Sequence, residues 1–388
     1  MAGDNNFIVF GQPLIEEEEI NEVVDSLKKA WLGTGPKVHQ FETDFARYKD
    51  MPYAAALFSC TAGLHLACVA LGLKEGDEVI TVANTFCATV NAIIHSGATP
   101  VLADINPDTL NIDPSEIEKK ITSKTKAIIP VHFAGRPCEM DAIMSIAKAH
   151  HLYVIEDCAH AIETEYKGKK AGSFGDMGVF SFYATKNLAT GEGGMVLSRN
   201  EELIARIKIL ALHGMSRDAW ARFSDTGYKH YHVEEAGYKY NMMDLQAAIG
   251  IHQLKKIDRF YEKRELVWKR YMNAFRNFPL GLPAPIGPNS KHALHLFTLR
   301  LDKEKCGVTR DEFLNKIAER NIGVGVHYLA IPDHPYYRRA FGWSPEDFPN
   351  ATAYGRETVS LPISAKLSDD DVNRIVSAVI AIISPNRR

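Results

Sequence analysis

From about residue 50 to residue 200, short β-branched apolar runs alternate with helix-patterned stretches, and this alternation limits the fold more than any other feature of the chain. Such a pattern builds βαβ units and a mostly parallel sheet with helices on its faces. The strand candidates are residues 78–82, 100–102, 127–131, 153–155, 177–182 and 194–197. Between them Asp113-Pro114-Ser115-Glu116 sets a capping aspartate, a proline and an acidic first turn, which predicts a helix start. Residues 53–73 carry no formal charge and are long enough to span a bilayer, but Ser59, Cys60, Thr61, Gly63 and His65 interrupt them. A buried strand, turn and helix is the expected reading. In open sheets of this kind ligands bind beyond the carboxyl ends of the strands, so chemistry is sought in the residues that follow each run.

Beyond Asn241, Leu245, Ala248, Ile249, Leu254, Ile257 and Tyr261 recur at helical spacing and predict a long helix. Residues 279–291 are rich in Pro and Gly, residues 292–301 read as a strand, and Thr309-Arg310-Asp311-Glu312 is a capping box. Residues 323–328 read as a second strand and a last helix is expected after Ser368, giving a smaller α+β unit. The expected division is 1–255 for a large α/β domain and 256–388 for a small C-terminal one. The acidic run at residues 16–19 reads as the solvated start of a helix.

Composition narrows the function. Forty-five Lys and Arg against 48 Asp and Glu leave a net charge of −3, with no basic excess to bind nucleic acid. The six cysteines show no metal-type spacing, so no metal is expected and they read as free thiols. The first residues lack a positive and apolar leader, and the expected location is the cytoplasm, without membrane insertion. No G-x-G-x-x-G follows a strand and no G-x-x-x-x-G-K-[ST] occurs, which removes support for a dinucleotide dehydrogenase or an NTPase.

The residues after the strands offer a different set. Glu156-Asp157-Cys158-Ala159-His160 puts a carboxylate and an imidazole at one strand end, where Asp157 reads either as a helix cap or as a functional acid. Lys186, enclosed by small and apolar residues ahead of Gly191-Glu192-Gly193-Gly194, reads either as a surface lysine or as an amine with lowered pKa. Ser59-Cys60-Thr61-Ala62-Gly63 opens an apolar helix whose free N–H groups can hold a phosphate, with hydroxyls at Ser59, Thr61 and Ser181. Amine, acid, anion cradle and a ring neighbour in Phe86 together are what pyridoxal 5'-phosphate (PLP) requires.

In order along the chain, Trp31-Leu32-Gly33-Thr34-Gly35-Pro36, Ser59-Cys60-Thr61-Ala62, Asn84-Thr85-Phe86-Cys87-Ala88-Thr89, Glu156-Asp157-Cys158-Ala159-His160-Ala161, residues 181–186 with 191–194, and Tyr240-Asn241 resemble the DegT/DnrJ/EryC1/StrS family of PLP-dependent sugar aminotransferases. The resemblance implies fold type I of PLP-dependent transferases, with a mostly parallel seven-stranded sheet. It implies that Lys186 forms the internal aldimine and shuttles the proton, that Asp157 keeps the ring nitrogen protonated, and that His160 hydrogen-bonds the phenolic oxygen. Phe86 would stack on the ring, Thr61, Ala62 and Ser181 would bind the phosphate, and Asn241 would reach it from a second copy in a homodimer with composite sites.

Gly35, Arg217, Lys239, His327 and Tyr328 are the substrate-side candidates, although surface cations and a strand end explain the last four equally. Cys60 replaces the glycine common at that place, and no proline precedes Phe86. The implied reaction moves an amino group from L-glutamate, through the pyridoxamine form of the cofactor, to a nucleotide-linked 4-keto-sugar, UDP-linked or similar. The product is an amino sugar for lipopolysaccharide, O-antigen or related polymers. A cyclitol aminotransferase, a sugar dehydratase and a non-catalytic PLP-binding regulator are the alternatives. The family's dehydratases carry histidine in place of Lys186, which weighs against that one.

Overall fold

The computed structural model describes residues 6–216 and 231–383. The alternation of the first half folds into seven strands: β1 (Tyr53–Leu57), β2 (Glu78–Val82), β3 (Thr99–Ala103), β4 (Thr125–Ile129), β5 (Tyr153–Asp157), β6 (Met177–Ser181) and β7 (Gly194–Ser198). They form one sheet in the order β1-β7-β6-β5-β4-β2-β3. β2, β3, β4, β5 and β6 pair in parallel, and β7 lies antiparallel to both β1 and β6. Six strands therefore end, and the seventh begins, at one edge of the sheet. The inner strands are apolar on both faces, as a sheet covered by helices on each side must be. One face buries Ile80, Val82, Leu102, Ile128 and Val154, the other Val79, Ala127, Ile129, Ile155 and Val179.

Expected signals appear at the predicted places. Asp113 accepts the N–H of Ser115 at the start of Pro114–Lys120, and Thr309 and Glu312 close the capping box that opens Arg310–Ala318. Residues 53–73 are β1, a turn and the helix α1 (Cys60–Ala70), buried for the most part, with Phe58 and Thr61 of the turn and helix start exposed. The long helical stretch is two helices, Asp244–Lys255 and Ile257–Phe275, broken at Lys256.

Three readings need correction. Residues 323–328 form no strand: Gly325 makes a single bridge to Ser360, and the partner of Phe297–Arg300 is Thr358–Leu361. The 292–301 strand shrinks to Phe297–Arg300, because the chain before it binds the Ala134–Gly135 turn. The acidic run is not wholly solvated: Glu19 is 1% exposed, accepts from Gln253 and pairs with Lys256, so it ties the helix Glu17–Lys28 to Asp244–Lys255.

A second core gathers Tyr271, Phe275, Phe297, Leu299, Phe313, Val359, Ile375 and Val379 around the Phe297–Arg300 pair, and Ile8 from the start of the chain joins it. Ala330, Ile331, Tyr337, Phe348, Ala351 and Tyr354, from the same late stretch of chain, pack instead into the first core beside Ile80 and Phe133.

Candidate active site

Where the strands end, a cavity of about 400 Å³ opens, lined by Thr61, Phe86, Asp157, His160, Ser181, Lys186, His327 and Tyr328 among others. Residues predicted from five separate stretches of sequence thus meet in one place.

Asp157 is the last residue of β5 and is 4% exposed. One carboxylate oxygen accepts the N–H of Ala159 at 3.1 Å and the other the hydroxyl of Thr89 at 2.8 Å, with Thr85 2.8 Å behind Thr89. Burial pushes this carboxyl up from its ordinary value, against the pull of those donors and of Lys186. A carboxylate so placed gains most from a cationic N–H brought to it. Because side chains alternate along a strand, Glu156 points to the other face. There it accepts N–H groups from Gly172, Phe174 and Gly175 and bonds His132 at 3.0 Å. His132, Glu156 and Cys158 come within 4.8 Å of one another, but both His132 nitrogens are already engaged, by Glu156 and by the Cys138 N–H. This set braces the strand end.

Lys186 sits on the loop after β6. Burial lowers its amine to about 8, while Cys60 and Asp157 pull the other way, so near neutral pH the amine is mostly protonated but loses its proton far more readily than an ordinary lysine. The next residue anchors the loop. Asn187 donates to Glu163 at 2.9 Å and to the Ala293 carbonyl at 2.8 Å, and accepts from His295 at 3.1 Å. Glu163 is ion-paired with Arg264 of the helix Ile257–Phe275, both out of water.

The anion cradle is the start of α1. Ser59 caps it by accepting the Ala62 N–H at 3.1 Å, which leaves the Cys60 and Thr61 N–H groups among the first-turn donors without an intrahelical acceptor. Ala62 itself is buried, 3% exposed, and does not line the cavity, so its N–H serves the cap. Gly194 lies against this turn: a Cβ there would stand 2.5 Å from the Ser59 carbonyl and 2.6 Å from the Cys60 nitrogen. Phe86 is 56% exposed at the cavity and 5.7 Å from the Tyr328 ring. His160 accepts the Ala134 N–H on Nδ1 at 3.2 Å and meets the Tyr328 hydroxyl at 3.0 Å through Nε2. His327 bonds Ser360 at 2.9 Å and stacks on Phe10. The donor set of amine, buried acid, helix N-terminus and hydroxyls fits PLP.

Three candidates lie elsewhere. Gly35 and Asn241 line a separate cavity of about 390 Å³, where Asn241 donates to Thr34 at 2.7 Å. Lys239 is exposed, bridges Leu212 through its backbone and does not line the Lys186 cavity. Arg217 lies outside the described residues. Thr85, Tyr183 and the Glu163–Asn187–His295 set escaped the sequence reading. Thr85 and Thr89 carry a local signal, two hydroxyls four apart at a helix start, but Asn187, Glu163, His295 and Arg264 meet only through the tertiary fold.

The family model described as DegT/DnrJ/EryC1/StrS aminotransferase family matches residues 13–380. The chain is 51% identical over 381 residues, 98% of each chain, to the spore coat polysaccharide biosynthesis protein SpsC of Bacillus subtilis (strain 168). Its fold matches the putative sugar aminotransferase Spr1654 from Streptococcus pneumoniae in its PMP form, with TM-score 0.91, 33% identity, and coverage of 97% of this chain and 99% of that one. It also matches Helicobacter pylori PseC, an aminotransferase involved in the biosynthesis of pseudoaminic acid, with TM-score 0.90, 29% identity, and coverage of 98% and 100%.

Proposed function

Since the chain belongs to the DegT/DnrJ/EryC1/StrS aminotransferase family, whose enzymes depend on PLP, we propose that it moves an amino group from L-glutamate to a nucleotide-linked 4-keto-sugar, making an amino sugar for a surface polysaccharide. The observation that carries the reading is the meeting of the lowered amine of Lys186 and the buried carboxylate of Asp157 in one cavity. The relation to SpsC supports the polysaccharide context, and the likeness to Spr1654 and PseC supports a sugar acceptor.

When bound, PLP supplies an aldehyde that takes up the amino group and a cationic ring that draws electron density from the substrate carbon. Asp157, steadied by Thr89 and Ala159, keeps the ring nitrogen protonated. Lys186 Nζ removes the proton from the donor carbon and returns one to the sugar carbon, a role its lowered pKa suits. The α1 N-terminus with Thr61 and Ser181 holds the phosphate, Phe86 covers the ring, and His327 faces the sugar. Asn241 and Gly35, away from this cavity within one chain, serve the site of a second copy in a homodimer.

A spectrum of the purified protein tests the reading. A visible cofactor band that glutamate bleaches, and that a keto-sugar nucleotide restores, is expected. Lys186→Ala removes the amine and should abolish turnover; full activity in that variant would refute the assignment.

A further inference from the structure

We propose that the hydroxyl of Tyr328, rather than the ring of His160, gives the hydrogen bond to an oxygen acceptor of the group held beside Lys186, and that His160 is a positioning residue acting through it. The proposal rests on the transaminase reading and deepens it.

Counting protons around His160 dictates the polarity. Ala134 N–H donates to Nδ1 at 3.2 Å, so Nδ1 carries no hydrogen. A ring bare at Nδ1 bears its hydrogen on Nε2; a ring bare at both would be an anion, and a ring protonated at both would set one N–H against another at Ala134. Nε2 lies 3.0 Å from the Tyr328 oxygen, so Nε2–H donates and that oxygen accepts. The Tyr328 hydrogen is left free to turn away, and Tyr328 lines the cavity that holds Lys186 and Asp157.

The backbone enforces this arrangement. Ala134 sits at a left-handed φ of 57° and Gly135 at 99°, a tight turn that aims the Ala134 N–H at the ring. A Cβ on Gly135 would stand 2.9 Å from the Ala293 Cβ and 3.0 Å from the His160 carbonyl, so the turn is pressed against the residue it orients. Burial agrees with the geometry. It holds His160 neutral, well below its ordinary value, and pushes the Tyr328 phenol up so that it keeps its proton.

Two acceptors share the required chemistry: the phenolic oxygen of PLP and the keto oxygen of the sugar. Cofactor-free protein labelled with ¹⁵N-histidine should show His160 neutral with its hydrogen on Nε2 at neutral pH; a hydrogen on Nδ1 overturns the proposal. Tyr328→Phe keeps the ring and its packing. If the acceptor belongs to PLP, this variant, loaded with PLP and without substrate, shifts the pH at which the visible band titrates by about one unit or more. If the acceptor belongs to the sugar, the band stays and kcat with the keto-sugar falls at least about tenfold while KM for glutamate holds. Either result supports the donor role, and wild-type behaviour in both overturns it. A wild-type protein with no visible band would sink the transaminase reading instead, and the ¹⁵N experiment would still judge the polarity at His160.

Discussion

Lowering the pH from about 7 to about 5 should cost this protein much of its stability, because three buried histidines accept protons only after unfolding. His160, His292 and His295 are 6%, 4% and 6% exposed. Burial, helped by nearby cationic groups, lowers His292 to about 3 and holds His160 and His295 well below the ordinary 6.5. The unfolded chain therefore binds more protons than the folded one below about pH 6.5, and stability falls as pH falls through that window. Integrated over those two pH units, His292 contributes about 2 kcal/mol, and His160 and His295 add to the loss in the same direction, as does His327, which burial also lowers to about 3. A whole domain has a total stability of roughly 5–15 kcal/mol, so the loss is large. Carboxylates held low, such as Glu22 beside His252 and Lys37, release their share at more acid pH and leave this window to the histidines. Urea unfolding followed by tryptophan fluorescence across the range measures the slope. His292→Asn tests the assignment, because an amide oxygen can replace Nδ1 as acceptor of the Leu294 N–H, 2.9 Å away in the parent. The variant's acid loss should shrink by about 2 kcal/mol. A stability that is flat over the window, or a variant that falls as steeply as its parent, refutes the reasoning.

Arg264→Met leaves Glu163 as an unpaired buried charge and should cost about 3–5 kcal/mol, whereas the Glu163→Gln, Arg264→Met double variant should recover most of it. Denaturant midpoints decide, and a double variant no better than the single one refutes the account. Gly194→Ala drives a methyl group into the Ser59–Cys60 backbone and should cost about 1–3 kcal/mol. Opening the cradle should also weaken PLP binding by about tenfold, read by fluorescence titration, and an unchanged affinity would show that this turn does not hold the phosphate. In the cofactor-free protein, the rise in stability with pH between about 8 and the ordinary 10.5 that Lys186 contributes should vanish in Lys186→Met. The unfolded chain binds the extra proton there; buried Lys49, also lowered to about 8, contributes a like rise that the variant keeps, so a slope as steep in the variant as in its parent refutes the lowered amine of Lys186.

Much of the fold and the centre of the site is written locally. Apolar runs at Val79, Ile80, Ile128 and Ile155 announce strands because a covered sheet needs them, and Asp157 and Lys186 stand where such strands end. The 323–328 stretch misled because Val324, Val326 and Tyr328 alternate as in a strand, whereas Gly325 lets the His327 ring approach to within 2.6 Å of where its Cβ would be. Glu19 misled because its partners, Lys256 and Gln253, are more than two hundred residues away in the chain. The Arg264–Glu163–Asn187 anchor was hidden because its members, 101 and 24 residues apart, have no periodicity or motif to betray them. Asn241 was legible as a motif member but not as a place, since only the fold shows it beside Thr34 and apart from Lys186.

The return of Ala330, Ile331, Tyr337, Phe348, Ala351 and Tyr354 to the first core governs how the protein can be made. As the chain leaves the ribosome, all seven strands emerge long before the segment that seals their flank, and Tyr328 arrives only with that segment. From the end of β7 at Ser198 until Ala330 is made, the nascent sheet carries an apolar face with its cover still untranslated, the kind of surface that chaperones hold. The cavity is therefore finished among the last events of translation.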